Sequence, residues 1–426
     1  MPQYINILTE LIFILLHFFV CLVSWQALDK KIFHPAVLFS ITWLGIVMLH
    51  FVFKFTILNQ LDAIGINTYL IFLIGNICFS IAAVLVDRSV KIKNAGVDVI
   101  QQNNFQFNIS FRIILVALIL IGLPFYIQAA FQIFLASKAE DFFSGLRYEL
   151  SYGDADIGPL KYLMPLAFVV YAVCLYEFHK QKNAANWVML IASFLSIVTY
   201  SVFATGRTYF FIILSIYIGI SFFVNATFSI KKYLALLGFF LLFFMAVGII
   251  YGKGGNTEDS FSDNIKGASE NVGIYLVTSL NALDIETNQN SVVSTDGDNT
   301  LRFFIKIGMS LNLLSNRKIT DLKQEFVFVP YPTNVYTFYS PYIRDFGKLY
   351  AWIMLALFSV LHTWLFIKAS ATKQVRFIFY YAFLLFPLLL SFFGDQYLSL
   401  FSFWIQMLVI TEMILLSNKL FEIKKW

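Results

Sequence analysis

Runs of about twenty apolar residues, repeated from one end of the chain to the other, constrain this sequence more than any other feature. An α-helix rising 1.5 Å per residue needs a stretch of that length to cross the hydrocarbon core of a bilayer. Composition closes the alternative of a soluble fold. Of 426 residues, 59% are hydrophobic and 13% charged, and 49 are Phe. A soluble domain carries about 25% charged residues to cover its surface. Lipid offers the backbone no hydrogen-bond partners, so spans of this kind are helical. The expected fold class is an all-α integral membrane protein, a polytopic bundle of about eleven transmembrane helices with two larger loops on the outer side.

Apolar windows place the spans near residues 4–27, 35–57, 64–86, 111–136, 160–178, 185–204, 208–225, 232–251, 346–368, 375–393 and 396–418. At two breaks, Thr205-Gly206-Arg207 and Gly394-Asp395, the sequence fits either a helix pair or one interrupted helix. The first block lacks a basic stretch before it and a small-residue cleavage site, which predicts a retained span rather than a removed signal peptide. Cys21, Cys78 and Cys174 all lie inside apolar blocks without metal-ligand spacing. The net charge of +5 is not a nucleic-acid signal, because the basic residues sit in short runs between spans.

Those runs orient the chain. Lys30, Lys31, Arg88, Lys91, Lys93, Arg112, Lys180, Lys182, Lys231, Lys232, Lys368, Lys373, Arg376, Lys419, Lys424 and Lys425 fall on one side of the predicted topology. The short connections of the other side hold Lys54, Lys138, Arg147, Lys161 and Arg207. Basic residues accumulate on the cytoplasmic side, so the N-terminus is expected outside and the C-terminus inside. The chain then divides into residues 1–251, with eight spans and an outer loop at 137–159; residues 252–345, a large outer loop; and residues 346–426, with three more spans. Within the large loop, Leu301–Leu314 is amphipathic, with Arg302 and Lys306 one turn apart. It reads either as a helix on the outer membrane surface or as a helix packed on the bundle. Asn288–Asn299 reads as a flexible polar turn.

Chemistry is expected where polar residues meet the outer membrane surface. Arg207 follows Ala204-Thr205-Gly206 and opens an apolar helix, whose N-terminus presents backbone N–H groups and a partial positive charge. A guanidinium there suits a phosphate group, which its planar fork holds with two bonds; the alternative is an interfacial arginine snorkelling to the surface. Arg147 lies in the shorter outer loop, where it is either a second phosphate ligand or a solvated charge. Thr333, Asn334 and Tyr336, followed by Arg344 and Asp345, bring hydroxyl, amide and ring groups to the mouth of a span. Such a set suits a sugar. Asp345 is a candidate general base, or it pairs structurally with Arg344. Asp395 and Gln396 in the last outer turn are further candidates for substrate contact, as is Arg302. None of the five histidines falls in either outer loop, and neither a metal site nor a P-loop or Rossmann fingerprint is apparent. Asp345-Phe346-Gly347 is not a kinase motif, because no Gly-rich loop or His-Arg-Asp segment accompanies it.

Four elements carry a family resemblance: His34-Pro35-Ala36-Val37-Leu38-Phe39, Arg147 in the first outer loop, Thr205-Gly206-Arg207-Thr208, and Thr333-Asn334-Val335-Tyr336-Thr337 followed by Asp345-Phe346-Gly347. With them the chain resembles the O-antigen polymerases, the Wzy-type oligosaccharide repeat-unit polymerases of bacterial envelope polysaccharide assembly. The resemblance implies a glycosyltransferase of the bacterial inner membrane with its active site facing the periplasm and no cofactor. Its donor would be a growing glycan on undecaprenyl diphosphate and its acceptor a single lipid-linked repeat unit. A flippase and a chain-length regulator of the same pathway are the implied partners. Arg207 and Arg147 would bind the leaving diphosphate, and Asp345 would position or deprotonate the acceptor hydroxyl. Two alternatives stand beside this one. An O-antigen ligase is expected to carry a histidine in the large periplasmic loop, and a transporter of lipid-linked sugar is expected to show polar or broken helices at mid-membrane.

Overall fold

A computed structural model of the chain describes residues 3–94, 105–153, 155–225, 261–288, 295–315 and 324–423, together with Lys231 and Gly238. Among these residues the fold is helical apart from a two-residue ladder, Val327–Phe328 against Pro332–Thr333. Among the described residues, eight helices are long and apolar enough to cross a membrane, covering Asn6–Ala27, Pro35–Phe55, Ile66–Val90, Ile109–Ser137, Gly158–Lys180, Ala184–Phe203, Lys348–Thr372 and Phe401–Phe421. Two shorter apolar helices, Thr208–Val224 and Val375–Leu389, accompany them. The chain is a polytopic membrane protein. Both undecided breaks separate distinct helices, and the expected span at 232–251 lies outside the described residues apart from Gly238.

Helix starts follow from the sequence. His34 caps Pro35–Phe55 through its ring Nδ1, which accepts from the Ala36 N–H at 3.3 Å, and Pro35 supplies a first-turn residue with no N–H to satisfy. Asn108, Asp141 and Asn183 cap Ile109–Ser137, Phe142–Tyr152 and Ala184–Phe203 with side-chain oxygens on first-turn N–H groups.

The chain forms two compact units, each discontinuous in sequence. The first comprises residues 1–99, 269–368 and 387–401; the second comprises residues 100–268, 369–386 and 402–426. In the first unit, Glu10 of the N-terminal helix Gln3–Ala27 is buried and ion-paired to Lys54 of Pro35–Phe55 at 3.1 Å. A chain of buried polar groups joins the first three helices: His17 to Asn76 at 3.2 Å, Ser40 to Asn76 at 2.7 Å and Ser24 to Ser80 at 2.9 Å. Polar residues are thus not confined to the loops. Each is bonded within the helix packing, as burial of a polar group requires.

The large polar segment contains a helix that apolar windows do not find, Phe261–Asn288. Its Val277 packs on Leu58 and Leu61, while Asn281 bonds the His50 ring at 2.9 Å and the Asp62 carbonyl at 2.8 Å. Asp284 accepts from the Gly65 N–H and the Thr68 hydroxyl. The amphipathic segment is a shorter helix than expected, Arg302–Ser310 rather than Leu301–Leu314, and sits at the front of a turn in which Asn312 has φ 55°. The Leu313 and Leu314 N–H groups both return to the Gly308 carbonyl, which ends the helix.

Candidate functional site

In the first unit the predicted residues gather on the segment from Thr333 to Asp345. A short helix, Tyr339–Phe346, is its core. Tyr339 drives its ring against Trp43 and Phe72, with centroids at 5.4 and 5.5 Å. A Cβ at position 75 would collide with its hydroxyl, so Gly75 is what lets this ring enter. Tyr342 stacks on Phe338 at 4.4 Å, and the Phe338 N–H bonds the Ser391 carbonyl at 2.8 Å. The helix carrying Arg344 and Asp345 is therefore clamped by aromatic packing.

Asp345 is 1% exposed, and both its oxygens are occupied. Oδ1 accepts from the Thr295 hydroxyl, the Asn299 N–H and the Asn299 side-chain amide; Oδ2 accepts from the Thr300 N–H and hydroxyl, each at 2.7 Å. One carboxylate so organises the whole 295–300 turn. Arg344 does not pair with it. The guanidinium instead forks onto Glu286, Nε to Oε1 at 2.9 Å and Nη2 to Oε2 at 3.2 Å, and lies over the Tyr336 ring at 5.0 Å. Ser340 donates to the same Glu286 carboxylate at 2.8 Å. Burial pushes the Tyr336 phenol above its ordinary range, against the opposing pull of Arg344.

Thr333 is buried and its hydroxyl accepts from the Val335 N–H at 3.2 Å, while Asn334 is half-buried. Arg302, half-buried, opens the helix Arg302–Ser310. Asp395 is buried in the 390–400 turn. Its carboxylate accepts from the Tyr342 hydroxyl at 3.0 Å, from the Tyr397 and Ser399 N–H groups at 2.9 Å, and from the Ser399 hydroxyl at 3.0 Å. Burial raises its carboxyl above the usual value, and these donors counter the effect. Asp395 thus ties the last turn to the helix that bears Arg344 and Asp345.

The second unit holds the other two arginines. Arg147 is half-buried on the helix Phe142–Tyr152, within the segment expected as an outer loop. Phe142 and Phe143 of that helix pack on Phe203 at 5.9 and 6.3 Å. Phe203 ends the helix Ala184–Phe203, four residues before Arg207. The structure thus seats the helix of Arg147 against the end of the helix that leads into the Arg207 turn. Within the turn, Thr205 adopts φ 55°. A β-branched residue in this left-handed region carries backbone strain, which accumulates at functional positions. Gly206 is there for space, since a Cβ would lie 2.5 Å from the Tyr209 ring. Arg207 is the cap residue of Thr208–Val224 and is 9% exposed, more enclosed than a snorkelling arginine.

Sequence reasoning missed Glu286, Thr295, Asn299, Thr300 and Tyr342. The first four are scattered polar residues in a polar stretch, and only the fold reveals their partners. Among the described residues no three His, Cys, Asp or Glu side chains gather as a metal site would need.

No family model matches the chain, and no solved structure matches it. Among curated proteins it is similar to an O-antigen polymerase of Shigella dysenteriae, with 27% identity over 239 residues. The match covers 55% of this chain and 56% of that protein, so it spans about half the length of each.

Proposed function

We propose that this chain polymerises undecaprenyl-diphosphate-linked oligosaccharide repeat units into an O-antigen or related surface polysaccharide at the periplasmic face of the bacterial inner membrane. The observation that carries the reading is the similarity to an O-antigen polymerase across about half the chain. A membrane protein with several polar side chains ordered on segments outside its spans is the architecture such a reaction needs. In this reading the segments 137–159 and 252–345 face the periplasm, flanked by spans within 1–251 and 346–426.

The reaction breaks the bond between the first sugar of the growing glycan and the lipid diphosphate, and forms a glycosidic bond to a hydroxyl of the acceptor unit. The acceptor loses its proton, and undecaprenyl diphosphate leaves. Arg207 and Arg147 bind that diphosphate and stabilise the charge that develops on it. The turn at Thr205–Arg207 supports this role through its strain and enclosure, and the packing of Phe142 and Phe143 on Phe203 supports a shared one. Thr333, Asn334, Tyr336, Arg344, Arg302 and Asp395 form or hold the sugar-binding surface. Of the two roles open to Asp345, positioning is favoured, because five donors already occupy its oxygens.

The test is deletion of the gene in its own host, with the surface polysaccharide resolved on a gel. Loss of the long ladder, with single repeat units still attached to the lipid core, is the expected result. Wild type restores the ladder, and Arg207→Ala at normal protein level does not. Bare core with lipid-linked polymer accumulating would instead identify a ligase, and an unchanged ladder would dismiss both enzymes.

A further inference from the structure

The helix Arg302–Ser310 divides its circumference three ways. Ile305 and Gly308 are buried, with Leu301 and Met309 half-buried on the same side. With 3.6 residues to a turn, the next arc of about 80° holds Arg302, Lys306 and Ser310. Lys306 and Ser310 are exposed. The third arc, about 100° wide, holds Phe303, Ile307, Leu311 and Phe304, and the last three of these are exposed. One side therefore rests on protein, one is polar, and one is apolar but uncovered.

The turn that ends the helix enlarges the apolar side. The Leu313 and Leu314 N–H groups return to the Gly308 carbonyl at 2.8 and 3.2 Å. A Cβ at position 308 would lie 2.7 Å from the Leu314 side chain, so Gly308 admits this fold-back. Leu313 is left 76% exposed, and Leu311 and Leu314 are exposed beside it. Apolar side chains this closely grouped mark a surface that meets a partner or a membrane.

Neighbouring residues favour the membrane. Phe303 and Phe304 pack on Phe401 with ring centroids at 5.2 and 5.3 Å, and Phe401 is the first residue of the span Phe401–Phe421. Leu301 shares an open groove with Phe346 and with Leu349, Tyr350 and Ile353, in the first turns of the span Lys348–Thr372. Along that span the exposed apolar residues continue as Leu357, Leu361 and Trp364, the stripe of a helix facing lipid. The short helix thus lies level with the first residues of two spans, where hydrocarbon gives way to headgroups. A polar arc and an apolar arc on one short helix suit that boundary.

We propose that Arg302–Ser310 and the turn after it lie in the membrane surface, with Phe304, Ile307, Leu311 and Leu313 in the acyl boundary and Lys306 and Ser310 among headgroups and water. The bilayer itself is the partner of this surface, and the assignment stands independently of the polymerase reading. It has a consequence for the candidate site. The Leu301 N–H bonds the Gly297 carbonyl at 2.8 Å, and Thr300 donates to Asp345 at 2.7 Å through both its N–H and its hydroxyl. The immersed helix so holds the 295–300 turn, and Asp345 with it, at a fixed height beside the lipid.

The experiment uses the full chain with Cys21, Cys78 and Cys174 replaced. Lys306→Cys, Ile307→Cys and Leu313→Cys, all at exposed positions, are each labelled with an environment-sensitive fluorophore and reconstituted in phosphatidylcholine vesicles. Acyl-brominated phosphatidylcholine should quench the labels at 307 and 313 about threefold more than the label at 306, and aqueous iodide should show the reverse order. Equal iodide quenching at all three positions would mean that the helix stands in water and would overturn the proposal. Labels at 307 and 313 that neither quencher reaches would mean that protein, such as a second copy of the chain, covers the face, and would overturn it too. A second measurement follows hydrogen exchange in nanodiscs for the double variant Leu311→Ser, Leu313→Ser. Exchange of residues 295–301 should rise about threefold while Ala184–Phe203 stays unchanged. Unchanged exchange at 295–301 would overturn the link between the membrane contact and the turn.

Discussion

At the scale of single residues, Asp345 shows how far a sequence can mislead about a carboxylate. Its place beside Arg344 suggests an ion pair, and its place near a polar loop suggests a base. In the structure, Arg344 turns to Glu286, and Asp345 serves as the hub of the 295–300 turn. A pairing partner 58 residues away cannot be inferred from local spacing. Asp345→Asn keeps the shape and replaces one acceptor oxygen with a donor, setting it against N–H or O–H groups. Hydrogen bonds to a charged group contribute about 1.5–3 kcal/mol each, so we expect a loss of at least that size, visible as earlier thermal unfolding in detergent. Unchanged stability with lost polymer would assign Asp345 to the chemistry instead. At the break between Ala184–Phe203 and Thr208–Val224, the left-handed conformation belongs to Thr205 rather than to Gly206. Gly206→Ala pushes the Tyr209 ring aside, at a cost of about 1–3 kcal/mol for overpacking. The same unfolding measurement reads it.

At the scale of elements, spans were legible because a bilayer filters for length and hydropathy together. The helix Phe261–Asn288 was not. Its buried positions Val277, Leu280 and Leu283 recur at helical spacing, yet Thr278, Ser279 and Asn281 between them and Asp284 beyond erase the hydropathy signal. Ser279, Asn281 and Asp284 are what attach it, so Asn281→Ala should leave His50 without its partner and cost about 1–3 kcal/mol. Between the first two helices, Glu10 and Lys54 invite a double-mutant cycle. Lys54→Met strands a buried carboxylate and should destabilise by about 3–5 kcal/mol, whereas Glu10→Gln with Lys54→Met should recover most of that loss. Thermal unfolding of all four proteins in nanodiscs checks this; independent, additive effects would mean the pair is not coupled.

At the scale of the whole molecule, membrane class was written in the apolar blocks, while orientation rests on where Lys and Arg fall. A labelling experiment tests that orientation. In a background where Cys21, Cys78 and Cys174 are replaced, Asp156→Cys should react with an impermeant maleimide in intact spheroplasts, and Gln374→Cys only after permeabilisation. The opposite pattern would put every proposed site residue on the cytoplasmic side and end the periplasmic reading. The division into two discontinuous units was invisible in the sequence, since it depends on contacts between segments hundreds of residues apart.

The buried Glu10–Lys54 pair also bears on how the protein is made. During synthesis Glu10 emerges well before Lys54, so the first helix reaches the membrane with its carboxylate still uncompensated. An acidic side chain within a span weakens insertion by up to a few kcal/mol, less near the helix end. The first two helices are therefore expected to enter as a hairpin, the second completing the insertion of the first. In a glycosylation-based insertion assay, residues 1–30 alone should integrate less fully than residues 1–60, and Glu10→Leu should abolish the difference. Equal integration of the two wild-type segments would mean that the first helix enters on its own.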